Sequence, residues 1–224
     1  MVLTITSRKG GCGKTVLAVI LAAAAADQGA DVALLDTDPN HAAHRWGTET
    51  RRPPIQTYAE ADAERLAELL PALAEKHELL IVDTAGFGNQ AATVAAACAD
   101  LVLVPVTPGE GDLVEAQRTV AYVEGLSRST RRAIPVRVLA NRIRRTTTLS
   151  RHVLSELDTL KLPRLKAVLS DAVAFGEISF SGVLPSEGSP AAEIAALIAE
   201  LRDAGWLPSL RQTVNRERRQ VVKA

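Results

Sequence analysis

Lys9-Gly10-Gly11-Cys12-Gly13-Lys14-Thr15 sets three glycines, two lysines and a hydroxyl within seven residues. Glycines let a backbone approach an oxyanion closely and turn successive N–H groups inward. A lysine beside them adds a point charge, and a neighbouring threonine hydroxyl can ligate a divalent cation. The chemistry such a stretch suits is the holding of a polyphosphate with Mg²⁺. Two further segments carry acids that could complete it: Asp36-Thr37-Asp38-Pro39-Asn40 and Asp83-Thr84-Ala85-Gly86.

The elements that must position these groups follow from the apolar pattern. Met1 to Ile5 reads as a short buried strand, and Val16 to Ala26, apolar on every side, as a buried helix whose positive N-terminal end faces the glycine loop. Val32 to Leu35 and Leu79 to Val82 read as fully buried parallel strands ending at Asp36 and Asp83. Carboxylates at the C-terminal ends of strands lie where open α/β sheets bind ligands. Further strands are expected at Ile55 to Tyr58 (a short edge strand), Leu101 to Val106, Ile134 to Ala140 and Leu165 to Leu169. Helices are expected over Ala61 to Lys76, Leu113 to Leu126, Leu149 to Leu160 and Ala191 to Ala204. The alternation predicts an α/β fold: a mostly parallel twisted sheet with helices on both faces.

The general P-loop pattern, G-x-x-x-x-G-K-[ST], would want glycine at position 8, where Arg8 stands, and Lys9 opens the Gly-Gly pair. This resembles the variant Walker A loop of the ParA/MinD family of dimeric P-loop ATPases, K-G-G-x-G-K-[ST]. Asp36, Asp38, Pro39 and Trp46 match the family's D-x-D-P-Q segment and following tryptophan, with Asn40 in place of glutamine. The resemblance spans about residues 1 to 207, leaving 208–224 as a basic C-terminal tail.

The resemblance implies ATP and Mg²⁺ as ligands and an ATP-dependent homodimer. Gly10, Gly11, Cys12, Gly13, Lys14, Thr15 and Val16 would bind the nucleotide, Lys9 would act in trans on the partner's nucleotide, and Asp38 would position the attacking water. Thr15, Asp36 and Asp83 would serve the metal. Asn141, with Arg142 beside it, is expected at the adenine. On the residues alone Asp36 and Asp38 could instead simply cap the next helix. Cys12 is expected to be a small space-filler rather than a redox centre. In the loop after Val106, Glu110 and Asp112 stand where the family has small residues.

A chain of 224 residues with 47% hydrophobic residues can bury a core without disulfides, and two distant cysteines give neither a disulfide framework nor a metal-ligand spacing. This fits a cytoplasmic protein. No apolar run is long enough to span a bilayer. Formal net charge is zero, but residues 1–126 hold 9 Lys/Arg against 17 Asp/Glu and residues 127–224 the reverse, 17 against 9. Residues 127–152 carry eight arginines and no acid. Such clustering suggests an anionic polymer or surface as partner; the resemblance to ParA proteins implies that it is non-specific DNA, with nucleoid association in the ATP state. By analogy with ParA proteins, a ParB-like or other activating cargo adaptor is expected. The alternatives are a MinD-like membrane-positioning ATPase, disfavoured by the thin apolar face of Leu210, Val214, Val221 and Val222, and a dethiobiotin-synthetase-like P-loop ligase.

Overall fold

The computed structural model describes residues 1–49, 55–86 and 88–209. Its elements run β1 (Val2–Ile5), α1 (Lys14–Asp27), β2 (Val32–Asp36), α2 (Ala42–Glu49), β3 (Gln56–Ala59), α3 (Ala63–Lys76), β4 (Leu79–Asp83) and α4 (Gln90–Cys98). They continue with β5 (Leu101–Val106), α5 (Glu110–Thr130), β6 (Val136–Ile143), α6 (Thr148–Thr159), β7 (Arg164–Ser170), α7 (Val173–Ser181) and α8 (Gly188–Asp203). The strands form one sheet in the order β3-β2-β4-β1-β5-β6-β7, every pairing parallel.

Because successive side chains of a strand point to opposite faces, each central strand feeds two cores. Leu3 and Ile5, Leu34, Ile81 and Leu103 pack on one face with α1, α7 and α8. Val2, Ala33 and Leu35, Leu80 and Val82 face the other way with α3 and α4. Val102 and Val104 join α5 and α6 there. Burial on both faces is why these strands read as unbroken apolar runs. Helix α1, inserted against the sheet, has Leu17 to Ala25 all buried, which explains a sequence without a polar stripe.

Two expectations shift. The strand expected to end at Ala140 runs on to Ile143, so Asn141 and Arg142 lie within β6. Arg142 takes φ 55°, and the β6–β7 register slips between Ala140 and Ile143. Helix α4 has no counterpart in the sequence reading: its alanines at 91, 92, 95 and 96 are buried, a short face with little amphipathic contrast. The basic tail from Leu210 onward and Pro53-Pro54 lie outside the described residues.

Trp46 anchors α2, its indole N–H donating to Ile178 O at 3.1 Å. Gly47 brings the same helix against β3 so closely that a Cβ there would overlap the Thr57 methyl. Gly47→Ala is therefore expected to destabilise the chain by about 1–3 kcal/mol, although alanine is the better helix former. The measurement is a lower urea midpoint at unchanged m-value, with Thr57→Ser recovering part of the loss.

Candidate functional site

Parallel register aligns the ends of the three central strands. Asp36 of β2 stands opposite Asp83 of β4, and Asp83 opposite Ile5 of β1, from which the chain runs into the glycine loop. The loop closes on Gly13 at φ 89°, the residue before α1, and Leu17 N–H donates to Gly13 O at 3.0 Å. A Cβ on Gly13 would come within 2.6 Å of Asn141 Nδ2, so glycine is required there by both dihedral and space. Lys14 is buried, its ammonium donating to Lys9 O at 3.4 Å across its own loop. Cys12 is buried, its Sγ 3.4 Å from the same carbonyl, which fits the space-filling part.

Thr15 and Asp83 form the centre of the site. The Thr15 hydroxyl donates to Asp83 Oδ2 at 2.6 Å. Among the described residues, Asp83 Oδ1 is buried with no hydrogen-bond partner. Burial, before any other cause, pushes the Asp83 carboxyl up to about 7. The Thr15 hydroxyl pulls it down, Asp36 and Asp38 push it up, and Lys14 opposes them. A buried, half-satisfied carboxylate beside a hydroxyl is a hard-oxygen donor set. Among the described residues no three His, Cys, Asp or Glu side chains gather into a cage. Mg²⁺ takes one or two carboxylates and leaves its remaining positions to phosphate and water, so Thr15 and Asp83 could hold it.

The other acids are engaged with backbone. Asp36, fully buried, accepts the N–H of Asp38 at 2.9 Å and of His44 at 3.0 Å. Asp38, half-buried, accepts Asn40 N–H at 2.9 Å. Asp36 thus organises the turn that presents Asp38. Thr84 turns its hydroxyl to Ile5 O at 3.0 Å. Gly86, at φ 126°, packs so that a Cβ would lie 2.8 Å from Ser7 O and 3.7 Å from Lys14 Nζ.

On the opposite flank, Asn141 donates its amide to Cys12 O at 2.8 Å and accepts Arg142 N–H at 3.0 Å. It splints the phosphate loop to β6. A cleft of about 490 Å³ opens beside it, lined by Gly13, Val16, Leu17, Asn141, Arg142 and Phe175 among others. The structure therefore gathers Gly13, Val16, Asn141 and Arg142 at one cleft, and Lys14, Thr15, Asp36, Asp38 and Asp83 at the strand ends next to it.

Lys9 is paired outside both groups. Its ammonium is paired with Asp112 in the first turn of α5, and Arg8 Nε lies 3.2 Å from Glu115 Oε2 one turn on. These α5 acids were not among the expected site residues. The available signal was the unusual acidity at Glu110 and Asp112.

Asp83 has a pH consequence. An unfolded aspartate titrates near 3.9, so between about pH 4 and pH 7 the native chain holds a proton that the unfolded chain lacks. This group's share of stability is complete below about pH 4 and lost by the time the pH has risen through about 7. Urea midpoints of the nucleotide-free chain are expected to fall between pH 5 and pH 7.5, and Asp83→Asn to flatten that fall.

The model of the VirC1 protein family matches residues 1–202. VirC1 of Rhizobium rhizogenes is 33% identical over 190 residues, 81% of each chain. The maintenance of carboxysome distribution protein A of Halothiobacillus neapolitanus is 26% identical over 202 residues, 85% of this chain and 91% of that one. Among solved structures, the ATP complex of a Cyanothece McdA variant superposes with a TM-score of 0.76 at 16% identity, covering 94% of this chain and 98% of that one. The strand-end acids, the variant glycine loop and the all-parallel sheet thus meet in one assignment: the chain belongs to the VirC1 family, among the ParA/MinD-type Walker ATPases.

Proposed function

We propose that this chain is a dimerising ATPase that binds DNA non-specifically in its ATP state and partitions or positions a cargo. The observation that carries the nucleotide reading is the meeting of Lys14 and Thr15 with Asp83, whose Oδ1 is buried without a partner among the described residues. The relative whose structure resembles this one was solved with ATP.

In this reading the loop amides of Gly10 to Thr15 and the Lys14 ammonium hold the β- and γ-phosphates. Thr15 Oγ1 and Asp83 hold Mg²⁺, with Asp36 in the surrounding shell. When bound, the ion neutralises phosphate charge as the γ-phosphoryl group departs. Asp38, presented by the Asp36-capped turn, orients the attacking water. Val16, Asn141 and Arg142 line the cleft for the base and ribose. Lys9 reaches the nucleotide of a second copy, so ATP is shared between two chains and hydrolysis separates them. Hydrolysis is slow until a ParB-like or other cargo-bound activator stimulates it.

The DNA reading rests on surface charge, and the structure separates six of the eight arginines of 127–152 into two sets. Arg132 is committed to Asp100 at 2.6 Å and Ala97 O at 2.8 Å, and Arg137 stacks 4.5 Å over the Trp206 ring. Arg142, Arg144, Arg145 and Arg151 are exposed around the C-terminal end of β6 and the head of α6, on the phosphate-loop side of the sheet. Arg144 is paired with Asp171. Two copies facing each other across their nucleotides double this set. Affinity for phosphate backbones then rises with ATP and falls steeply with salt.

Binding of the purified chain to random-sequence duplex DNA tests this without nucleotide, with ADP–Mg²⁺ and with ATP–Mg²⁺, at 50 and 200 mM salt. The expected result is binding in ATP alone, weakened by about tenfold or more at the higher salt. Equal binding in all three states, or none in any, would overturn the DNA part of the reading.

A further inference from the structure

Asp112 is the residue the proposed chemistry leaves unused. Its side chain is only 5% exposed, whereas that of its partner Lys9 is 46% exposed. Oδ1 accepts the Thr107 hydroxyl at 2.7 Å, and Oδ2 takes the Lys9 ammonium. The carboxylate lies over Gly109, where a Cβ would come within 2.5 Å of Oδ2. It also sits in the first turn of α5, where helix N–H groups favour negative charge. Asp112 is thus a fixed acceptor, and Lys9 is the half of the pair that solvent can reach. Arg8 is held in parallel by Glu115, which also takes Arg118 at 2.7 Å. Both cations that open the phosphate loop are therefore tied to the first turns of α5 of the same chain.

We infer that Asp112 is a positioning residue that latches Lys9 in cis, and that Lys9 must exchange Asp112 for phosphate before two chains can share nucleotide. This rests on the reading that Lys9 crosses to a second copy. A buried carboxylate stripped of its cation is costly, so the exchange raises the ATP level at which dimers form. Asp112 then sets the threshold between the free and the paired state. The device needs no additional domain: one carboxylate competes with a phosphate for one ammonium.

Asp112→Asn keeps an acceptor for Thr107 and turns an amide N–H₂ toward Lys9, which removes the latch without removing volume. Glu115→Gln alters the Arg8 and Arg118 pairs, leaves the Lys9–Asp112 pair in place and serves as the matched control. Two readouts separate the latch from the exchange. The first is the rate of amine labelling at Lys9 in the nucleotide-free chain, followed by peptide mass spectrometry. It is expected to rise by about three- to tenfold in Asp112→Asn, the scale of one charge-assisted pair, and to stay unchanged in Glu115→Gln. Equal labelling in wild type and Asp112→Asn overturns the latch, whatever the oligomeric state. The second is the ATPγS concentration giving half-maximal dimer in sedimentation velocity, expected to fall by a similar factor, about three- to tenfold, in Asp112→Asn. An unchanged or raised midpoint overturns the exchange. A wild type that forms no dimer at any ATPγS level overturns both the exchange and the dimer reading, while the labelling still judges the latch. Thermal melts of all variants identify any that fail to fold, and Thr107→Val, which frees Asp112 Oδ1 while keeping its charge, then serves as the second test of the labelling.

Discussion

The Asp83 carboxylate, buried at the end of a central strand, is the constraint on which the rest of the structure depends. Placing it there takes a charge-bearing group out of water, and among the described residues the fold offsets this with a single hydrogen bond, from Thr15. The second oxygen is left open. Register then brings Asp36 alongside, and the phosphate loop leaves β1 next door. Stability and function pull in opposite directions at this point. A group that destabilises the free chain once ionised is also the one that a cation would relieve. Functional sites commonly carry such local costs, which the surrounding core supports.

Around that centre the loop is held from two sides by different physics. Toward β6 the contact is rigid and neutral: the Asn141 amide on Cys12 O, with Gly13 pressed against it. Toward α5 it is ionic and partly solvated, through Arg8 and Lys9. Neutral packing fixes the half of the loop that, on the proposed reading, cradles phosphate. Ion pairs, which yield to competing charge, hold the half that would have to move.

Much of this was legible in the sequence where burial leaves an unambiguous trace. Strands β1, β2 and β4 are mostly apolar runs ending in a loop or an acid, as a parallel sheet covered on both faces favours; the buried exception, Thr4, gives its hydroxyl to Ala95 O. Asp36 does accept one amide of α2, that of His44, but its other oxygen takes the Asp38 amide and Asp38 itself bonds Asn40 rather than the helix. What stayed hidden depends on distance in sequence. Asp112 lies 103 residues from Lys9, and no local pattern couples them. The eight arginines form one cluster in the chain but lie toward both ends of β6 in space. Helix α4 is built from alanines, which pack well and signal poorly.

The measurement that tests the central claim most directly is equilibrium binding of a fluorescent ATP analogue with and without Mg²⁺, in wild type and in Thr15→Val. If Thr15 and Asp83 form the metal end of a nucleotide site, Mg²⁺ tightens binding to wild type by about tenfold or more, and most of that gain disappears in the variant. Binding that ignores Mg²⁺, or a gain that survives Thr15→Val intact, would contradict the account.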